Sequence, residues 1–352
     1  MELKEVLKFY KGKKVFITGH TGFKGSWLTY ILDSIGAEIT GYSLEPNTNP
    51  SLFKSLTFSE KFNSIIGDIR NKKEFKNAIK KFNPEYIFHL AAQPIVIESY
   101  EDPFNTYNTN FNGTLNLLES IRDINRQCNV VIVTTDKVYK NNENKISFKE
   151  DDMLGGKDPY SASKSASEIL VSSYSKSFFS NNGINISTAR AGNIIGGGDW
   201  SKYRLFPDII RSCFEHSELV IRNPNSVRPW QHVLDPIFGY LDLARNLSIK
   251  PETFNGAWNF GPDDKDPISV HNILEIVKTN GELINIKIEN DKSNKEAKYL
   301  QLDITKSKTI LNWTPKWDAE NAIKNTLKWY RGFYNNISAN DLINNDLELY
   351  LK

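Results

Sequence analysis

A chain of 352 residues exceeds one ordinary domain and is long enough to bury a large core, so it needs no disulfide or metal staple. Charged residues make up 24% of it, yet the formal net charge is only +2, which excludes a dedicated nucleic-acid surface and leaves any anionic ligand to local groups. Cys128 and Cys213 have neither metal-ligand spacing nor a disulfide framework, so no metal site is expected and both read as small buried residues of a reducing cytoplasm.

The opening MELKEVLKFYKGKK is charged throughout and lacks the apolar stretch of a secretory signal. No run approaches the roughly 18 apolar residues of a membrane span, so a cytoplasmic chain without a membrane partner is expected. From Lys14 onward, short β-branched runs alternate with longer stretches of helical period. Strands are predicted at 15–18, 38–42, 64–67, 86–91, 130–134 and 185–189, and helices at 22–34, 72–81, 103–125 and 160–180. This alternation is that of an α/β fold, a Rossmann-type doubly wound parallel sheet covered by helices on both faces.

After about residue 193 the texture changes to Gly, Pro and Trp clusters, with helical segments at 235–246 and 270–279. The expected organisation is a dinucleotide-binding Rossmann domain over 1–192, with later segments returning to it, and a smaller C-terminal substrate-binding lobe over 193–352, a ligand lying at the junction. Trp200, Trp258 and Trp313 read as packing residues. Beyond Tyr334 the chain is polar, and its Leu and Ile spacing permits one docked helix, a frayed end being the alternative.

The first strand runs into Thr18-Gly19-His20-Thr21-Gly22-Phe23-Lys24-Gly25, a Gly-x-x-Gly-x-x-Gly loop opening a helix. One glycine makes the tight turn, another admits a pyrophosphate against the backbone, and a third lets helix and strand pack closely. The helix N-terminus adds amides and a positive dipole for the anion. A ribose-binding acid is not clearly placed, since the second strand ends in Gly41-Tyr42-Ser43 with Glu45 just beyond. No arginine stands there for a 2′-phosphate, however, so NAD is favoured over NADP. Asp68 is placed to hold the adenine edge or to cap the following helix, two roles that a carboxylate can share.

Two further segments carry the chemistry. The fifth strand ends in Thr134-Thr135-Asp136-Lys137-Val138-Tyr139, and later comes Tyr160-Ser161-Ala162-Ser163-Lys164. A Tyr and a Lys four residues apart share one helix face, so the ammonium can lower the phenol pKa while also reaching a cofactor ribose.

These motifs, with His89-Leu90-Ala91-Ala92, Tyr107-Asn108-Thr109-Asn110 and Gly113-Thr114, resemble the extended short-chain dehydrogenase/reductase family, and within it the nucleotide-sugar 4,6-dehydratases, over residues 14–330. Gly22-Phe23-Lys24-Gly25-Ser26-Trp27, Ala91-Ala92-Gln93-Pro94, Gly196-Gly197-Gly198-Asp199-Trp200 and Arg228-Pro229-Trp230-Gln231-His232 resemble the branch that acts on CDP-glucose. Lys137 stands where dehydratases of dTDP-glucose usually carry Glu, and matches that branch.

The resemblance implies a hydro-lyase that oxidises the sugar at C4, eliminates water across C5 and C6, and returns hydride to C6, consuming no external reductant. NAD would be held by Gly19, Thr21, Gly22, Phe23, Lys24, Gly25, Asp68, Ile69, Leu90, Ala91, Ala92, Thr109, Tyr160 and Lys164. Tyr160 would take the 4-hydroxyl proton with Lys164 tuning it and Thr135 bonding the same oxygen, Asp136 would protonate the departing 6-hydroxyl, and Lys137, if neutral, would remove the C5 proton. Gln93, Asn193, Arg204 and Arg228 are the expected substrate contacts. His232 is either a further one or a satisfied structural histidine. A homodimer or dimer of dimers, paired through the helices at 103–125 and 160–180, is implied as well. Two alternatives stay open: an epimerase or dehydratase acting on a UDP-, dTDP- or GDP-hexose, and a non-catalytic NAD-sensing protein, which would not need Thr135, Asp136, Tyr160 and Lys164 together.

Overall fold

The computed structural model describes residues 2–124, 126–142, 146–179, 182–221, 223–263, 268–282, 284–289 and 299–352. Its centre is a seven-stranded sheet built from β1 (Lys14–Thr18), β2 (Glu38–Ser43), β3 (Asn63–Ile66), β4 (Tyr86–His89), β5 (Cys128–Val133), β6 (Ile184–Ala191) and β7 (Gly256–Phe260). The strands lie in the order 3-2-1-4-5-6-7 and every neighbouring pair is parallel. This is the Rossmann arrangement. The direction of winding reverses between β1 and β4, so a crevice opens beyond their carboxyl ends.

Parallel strands buried on both faces are mostly apolar, and the alternation of side chains divides their apolar residues between two cores. Val15, Ile17, Phe88, Val131, Val133 and Ala189 belong to one core; Phe16, Ile87, Val130, Ile132 and Ile186 belong to the other. The first face is covered by α1 (Phe23–Ser34) and by α5 (Leu234–Ile249), which comes from the second half of the chain. The second is covered by α2 (Lys72–Phe82), α3 (Gly113–Ile121) and α4 (Pro159–Tyr174). The C-terminal lobe shares the first core through Trp200, Trp258, Trp313 and Trp329, all buried. Cys128 and Cys213 are likewise buried and free, and burial pushes both thiols up to about 12.

Three differences from the expected elements have local causes. The strand expected over 86–91 stops at His89 because the amides of Leu90 and Ala91 turn back to the Thr18 hydroxyl, at 3.1 and 3.2 Å. The helix expected over 103–125 is broken into Pro103–Tyr107, a wide π-type turn at Asn108–Asn112, and α3. Such turns are frequent at functional sites, and this one carries Asn110 into the sheet crevice. The helix expected over 160–180 gives way to a π-type turn at Ser175–Phe179. Asn125 and Ser180, the ends of those two ranges, lie outside the described residues.

Past α6 (Ala319–Tyr334) the chain ends in a docked helix, α7 (Ala339–Leu351), capped by Ser338. Tyr350 donates to Asp235 on α5 at 2.7 Å, Tyr30 on α1 donates to Asn344 at 3.1 Å, and Asn340 exchanges two hydrogen bonds with the Thr57 backbone. Among the described residues no helix is long and apolar enough to cross a membrane.

The glycine cluster at 196–198 is where the two halves meet. A Cβ on Gly197 would stand 1.9 Å from the Trp329 ring, while its carbonyl accepts from Trp27 Nε1 at 2.9 Å. Gly197→Ala is therefore expected to lower stability by about 1–3 kcal/mol through overpacking, read as a lower urea midpoint at unchanged slope.

Candidate active site

The glycine loop is shaped by what it must approach. Gly19 has φ +75°, a left-handed conformation that costs glycine little, and a Cβ there would stand 2.7 Å from the Ala91 amide. A Cβ on Gly25 would stand 2.0 Å from the Gly19 carbonyl, so the first turn of α1 can lie against the loop only without one. Gly22 caps α1, leaving the amides of Phe23, Lys24 and Gly25 at the helix mouth, where an anion is held by donors and dipole together. Thr21 does not face the mouth freely: its hydroxyl is tied to Ser43 at 2.9 Å and to the Leu44 carbonyl at 2.8 Å, fixing the end of β2 beside the loop.

Asp68 lies at the end of β3 with its carboxylate bound bidentately by Arg70, which holds it below its ordinary pKa. It does not cap α2; Asn71 does, accepting from the Glu74 amide at 3.3 Å. Ile69 is buried against the Cα of Gly113, and its carbonyl accepts from Asn116 at 2.9 Å. After β4, Leu90, Ala91 and Ala92 lead to Gln93. The side chain of Asn110 brackets the Gln93 backbone, accepting from its amide at 2.8 Å and donating to its carbonyl at 3.1 Å, and also donates to Ser163 at 2.9 Å. Thr109, one residue earlier, donates to Asn105 at 3.4 Å.

The end of β5 and the start of α4 meet across this crevice. Asp158 caps α4 through the Ser161 amide at 2.9 Å, with Pro159 at the first helical position, which sets Tyr160 in the first turn. Near the Tyr160 phenol, Thr135 donates to Asp136 Oδ1 at 3.0 Å, and Lys137 Nζ stands 3.8 Å from the same carboxylate oxygen. The other oxygen, Oδ2, is buried without a hydrogen-bond partner among the described residues, as is Gln93 Oε1. Both are acceptors held ready for a donor.

Charge gathers at the same place. Burial raises the Tyr160 phenol, and the cations that oppose it are Lys137 and Arg204. The Lys164 ammonium donates to the Val133 carbonyl at 3.2 Å, and burial pulls it down to about 8 against the pull of Glu168. Burial also lowers Lys24 to about 7, with repulsion from Arg204 and Lys164 adding to it and Asp136 opposing. Glycine loop, Tyr160/Lys164 pair, residues 135–137 and Arg204 therefore form one electrostatic unit.

The substrate-side candidates are less tightly gathered. The Asn193 carbonyl accepts from the Gln231 amide at 3.1 Å, Arg204 pairs with Asp199 at 3.2 Å, and buried Arg228 donates to the Val227 carbonyl at 3.0 Å. His232 is not a substrate contact. It has no exposed surface, the rings of Trp27 and Trp317 flank it at 5.9 and 4.6 Å, and burial lowers it to about 3, so it is a neutral core histidine. Residues that the sequence reading passed over are Asn110, Glu98, which accepts from Gln93 Nε2 at 3.1 Å, and Glu168. Glu168 stands four residues beyond Lys164 on one helix face, a spacing that does signal a partner.

Sheet order, glycine loop and the Tyr160/Lys164 pair define an extended short-chain dehydrogenase/reductase. Within that class the chain belongs to the GDP-mannose 4,6-dehydratase family, whose profile matches residues 16–326. It is 43% identical over 331 residues to the CDP-glucose 4,6-dehydratase of Salmonella typhimurium, covering 92% of each chain. To the CDP-paratose 2-epimerase of Salmonella typhi it is 27% identical, covering 90% of this chain and 98% of the other. Among solved structures, the epimerase Mth375 of Methanothermobacter thermautotrophicus shares the fold with a TM-score of 0.83 at 22% identity, covering 95% of this chain and 97% of that one. The dTDP-glucose 4,6-dehydratase of Bacillus anthracis, solved with NAD, does so with a TM-score of 0.74 at 24% identity, covering 90% and 96%.

Because Asn110 holds Gln93 from both sides, Asn110→Ala is expected to cost about 1–3 kcal/mol by stranding buried polar groups. A urea unfolding curve measures that loss, and a raised KM would show that Gln93 has been released.

Proposed function

We propose that this chain catalyses the NAD-dependent 4,6-dehydration of CDP-glucose to CDP-4-dehydro-6-deoxyglucose and water. The carrying observation is the meeting of Thr135, Asp136, Lys137 and Tyr160 beside a glycine loop packed so closely that neither Gly19 nor Gly25 could carry a side chain. The 43% identity to a CDP-glucose 4,6-dehydratase supports the choice of sugar nucleotide.

The cradle fits a dinucleotide. The loop amides of 22–25 and the dipole of α1 suit the pyrophosphate, Asp68 and Ile69 border the adenine end, residues 90–92 and Thr109 line the wall, and Lys164 is the candidate for the nicotinamide ribose. When bound, NAD supplies the oxidised ring that takes hydride from C4 of the sugar and gives it back at C6.

Everything else is the work of side chains. Tyr160, as phenolate, receives the proton of the 4-hydroxyl, and Thr135 is assigned to the same oxygen. The resulting ketone acidifies the neighbouring C5 hydrogen, which Lys137 removes while Asp136 protonates the departing 6-hydroxyl; one C–H and one C–O bond break and one molecule of water leaves. Lys137 then reprotonates C5. The diphosphate is assigned to Asn193, Arg228 and Arg204, the arginines offering planar forks to its oxygens. Exposed apolar side chains on the outer helices, Phe104 and Ile169 among them, support pairing of two copies there, and the buried free cysteines support a cytoplasmic enzyme.

Incubation with CDP-glucose and no added reductant should yield the alkali-absorbing 4-keto-6-deoxy sugar. Product from a dTDP-, UDP- or GDP-hexose in its place would overturn the substrate assignment. Tyr160→Phe is expected to lower kcat by about 10²–10⁴ while NAD still binds. Asp136→Asn should instead spare the first oxidation and stall elimination, so that reduced-nicotinamide fluorescence builds up in a single turnover.

A further inference from the structure

The segment that carries Thr135, Asp136 and Lys137 is a single 3-10 turn, Asp136–Val138, capped by Thr135 just after β5, and chemistry at three positions on it demands that it be held still. It is held at both ends by one buried ion pair. Glu168 on α4 and Arg190 on β6 lie 2.8 Å apart, with 4% and 3% of their surfaces exposed. Ahead of the catalytic residues, the Thr134 hydroxyl donates to Glu168 Oε1 at 2.5 Å. Behind them, Arg190 donates to the Tyr139 hydroxyl at 2.8 Å and lies over that ring at 5.0 Å. Further bonds extend the network: Thr188 donates to Glu168 Oε2 at 2.7 Å, Arg190 donates to the Glu150 carbonyl at 2.8 Å, and Tyr139 donates to Asn259 on β7 at 2.6 Å.

The same carboxylate faces Lys164 one helical turn away. Helix α4 thus grips the end of β5 at two adjacent points, Lys164 on the Val133 carbonyl and Glu168 on the Thr134 hydroxyl. Other ionisable groups around Lys164 do not favour its charge. Lys24 on the glycine loop repels it, and His89 on β4 is lowered to about 3 by burial and is neutral. Glu168 is the group that opposes the desolvation of Lys164.

We propose that Glu168, four residues beyond Lys164 on α4, is a positioning residue for the hydride-transfer step: through its bond from Thr134 and its pair with Arg190 it fixes the segment bearing Thr135, Asp136 and Lys137. The inference rests on the assignment of Lys164 to the cofactor side of that step. It adds a residue that touches neither sugar nor cofactor and yet governs both halves of the site.

The sign of its effect is open to measurement. With Glu168 present, Lys164 keeps its proton to a higher pH, so activity that needs the ammonium declines only on the alkaline side. Removing the carboxylate lowers the Lys164 pKa, and the alkaline limb of the kcat/KM profile should move down by about one pH unit. Glu168→Asp retains the charge and should restore the limb toward its original place. Glu168→Gln leaves Arg190 buried without its counter-ion and can fail to fold; Glu168→Gln combined with Arg190→Met leaves no unpaired guanidinium and should show the same downward displacement.

A control separates this inference from the reading beneath it. Lys164→Met should abolish the alkaline limb; if the limb persists, the assignment of Lys164 is overturned and the inference with it. If Lys164→Met abolishes the limb but the profiles of Glu168→Gln and of the double variant superimpose on that of the parent enzyme, the role of Glu168 alone is overturned.

Discussion

Cations collected in a crevice of low polarity are the constraint around which this molecule is arranged. Lys24, Lys137, Lys164 and Arg204 act on one another or on a common phenol, and the burial that brings them together removes the water that would screen them. A chain of net charge +2 has no general field to attract a sugar nucleotide. It concentrates positive charge where the winding of the sheet reverses and balances that charge with few carboxylates: Asp136 inside, Asp199 on Arg204, and Glu168 behind Lys164. A diphosphate entering the crevice relieves repulsion as well as making contacts, which is a reason for a site to tolerate lysines pulled down to about 7 and 8.

Much of the architecture was legible because it follows from periodicity. Strands buried on both faces read as continuous apolar runs, and the glycines of the first loop are demanded by approaches of 2.0 and 2.7 Å that no side chain could share. The Tyr160/Lys164 pair was legible from a four-residue spacing, and its placement near residues 135–137 from the tendency of open sheets to bind ligands at strand ends. The site residues themselves were legible as residue types and spacings; the roles given to them beyond that remain assignments of chemistry.

What escaped the sequence is of a different kind. The break of the long helix at Asn108–Asn112 depends on where Asn110 finds three partners, none of them nearby in sequence. Side-chain direction escaped it as well: the Lys164 ammonium donates to the Val133 carbonyl, at the end of a strand 31 positions earlier. His232 sits beside Trp230 in a motif that resembles a binding segment, yet its ring is enclosed by Trp27 and Trp317, contributed by opposite ends of the chain. Long-range packing decides each case, and pattern along the chain carries no record of it.

The final helix has a consequence for how the molecule comes into being. Asn344 meets Tyr30 across 314 positions of sequence, and Tyr350 meets Asp235 across 115, so the wall behind the glycine-loop helix is assembled from segments distant in the chain. The edge strand Gly256–Phe260 also arrives long after the strands beside which it lies. During synthesis the nucleotide-binding half is exposed as an open sheet with one bare edge and one uncovered face, the kind of surface on which chaperones act and nascent chains associate. Helix Ala339–Leu351, although remote from the reacting atoms, is one of the late-made pieces that cover that face.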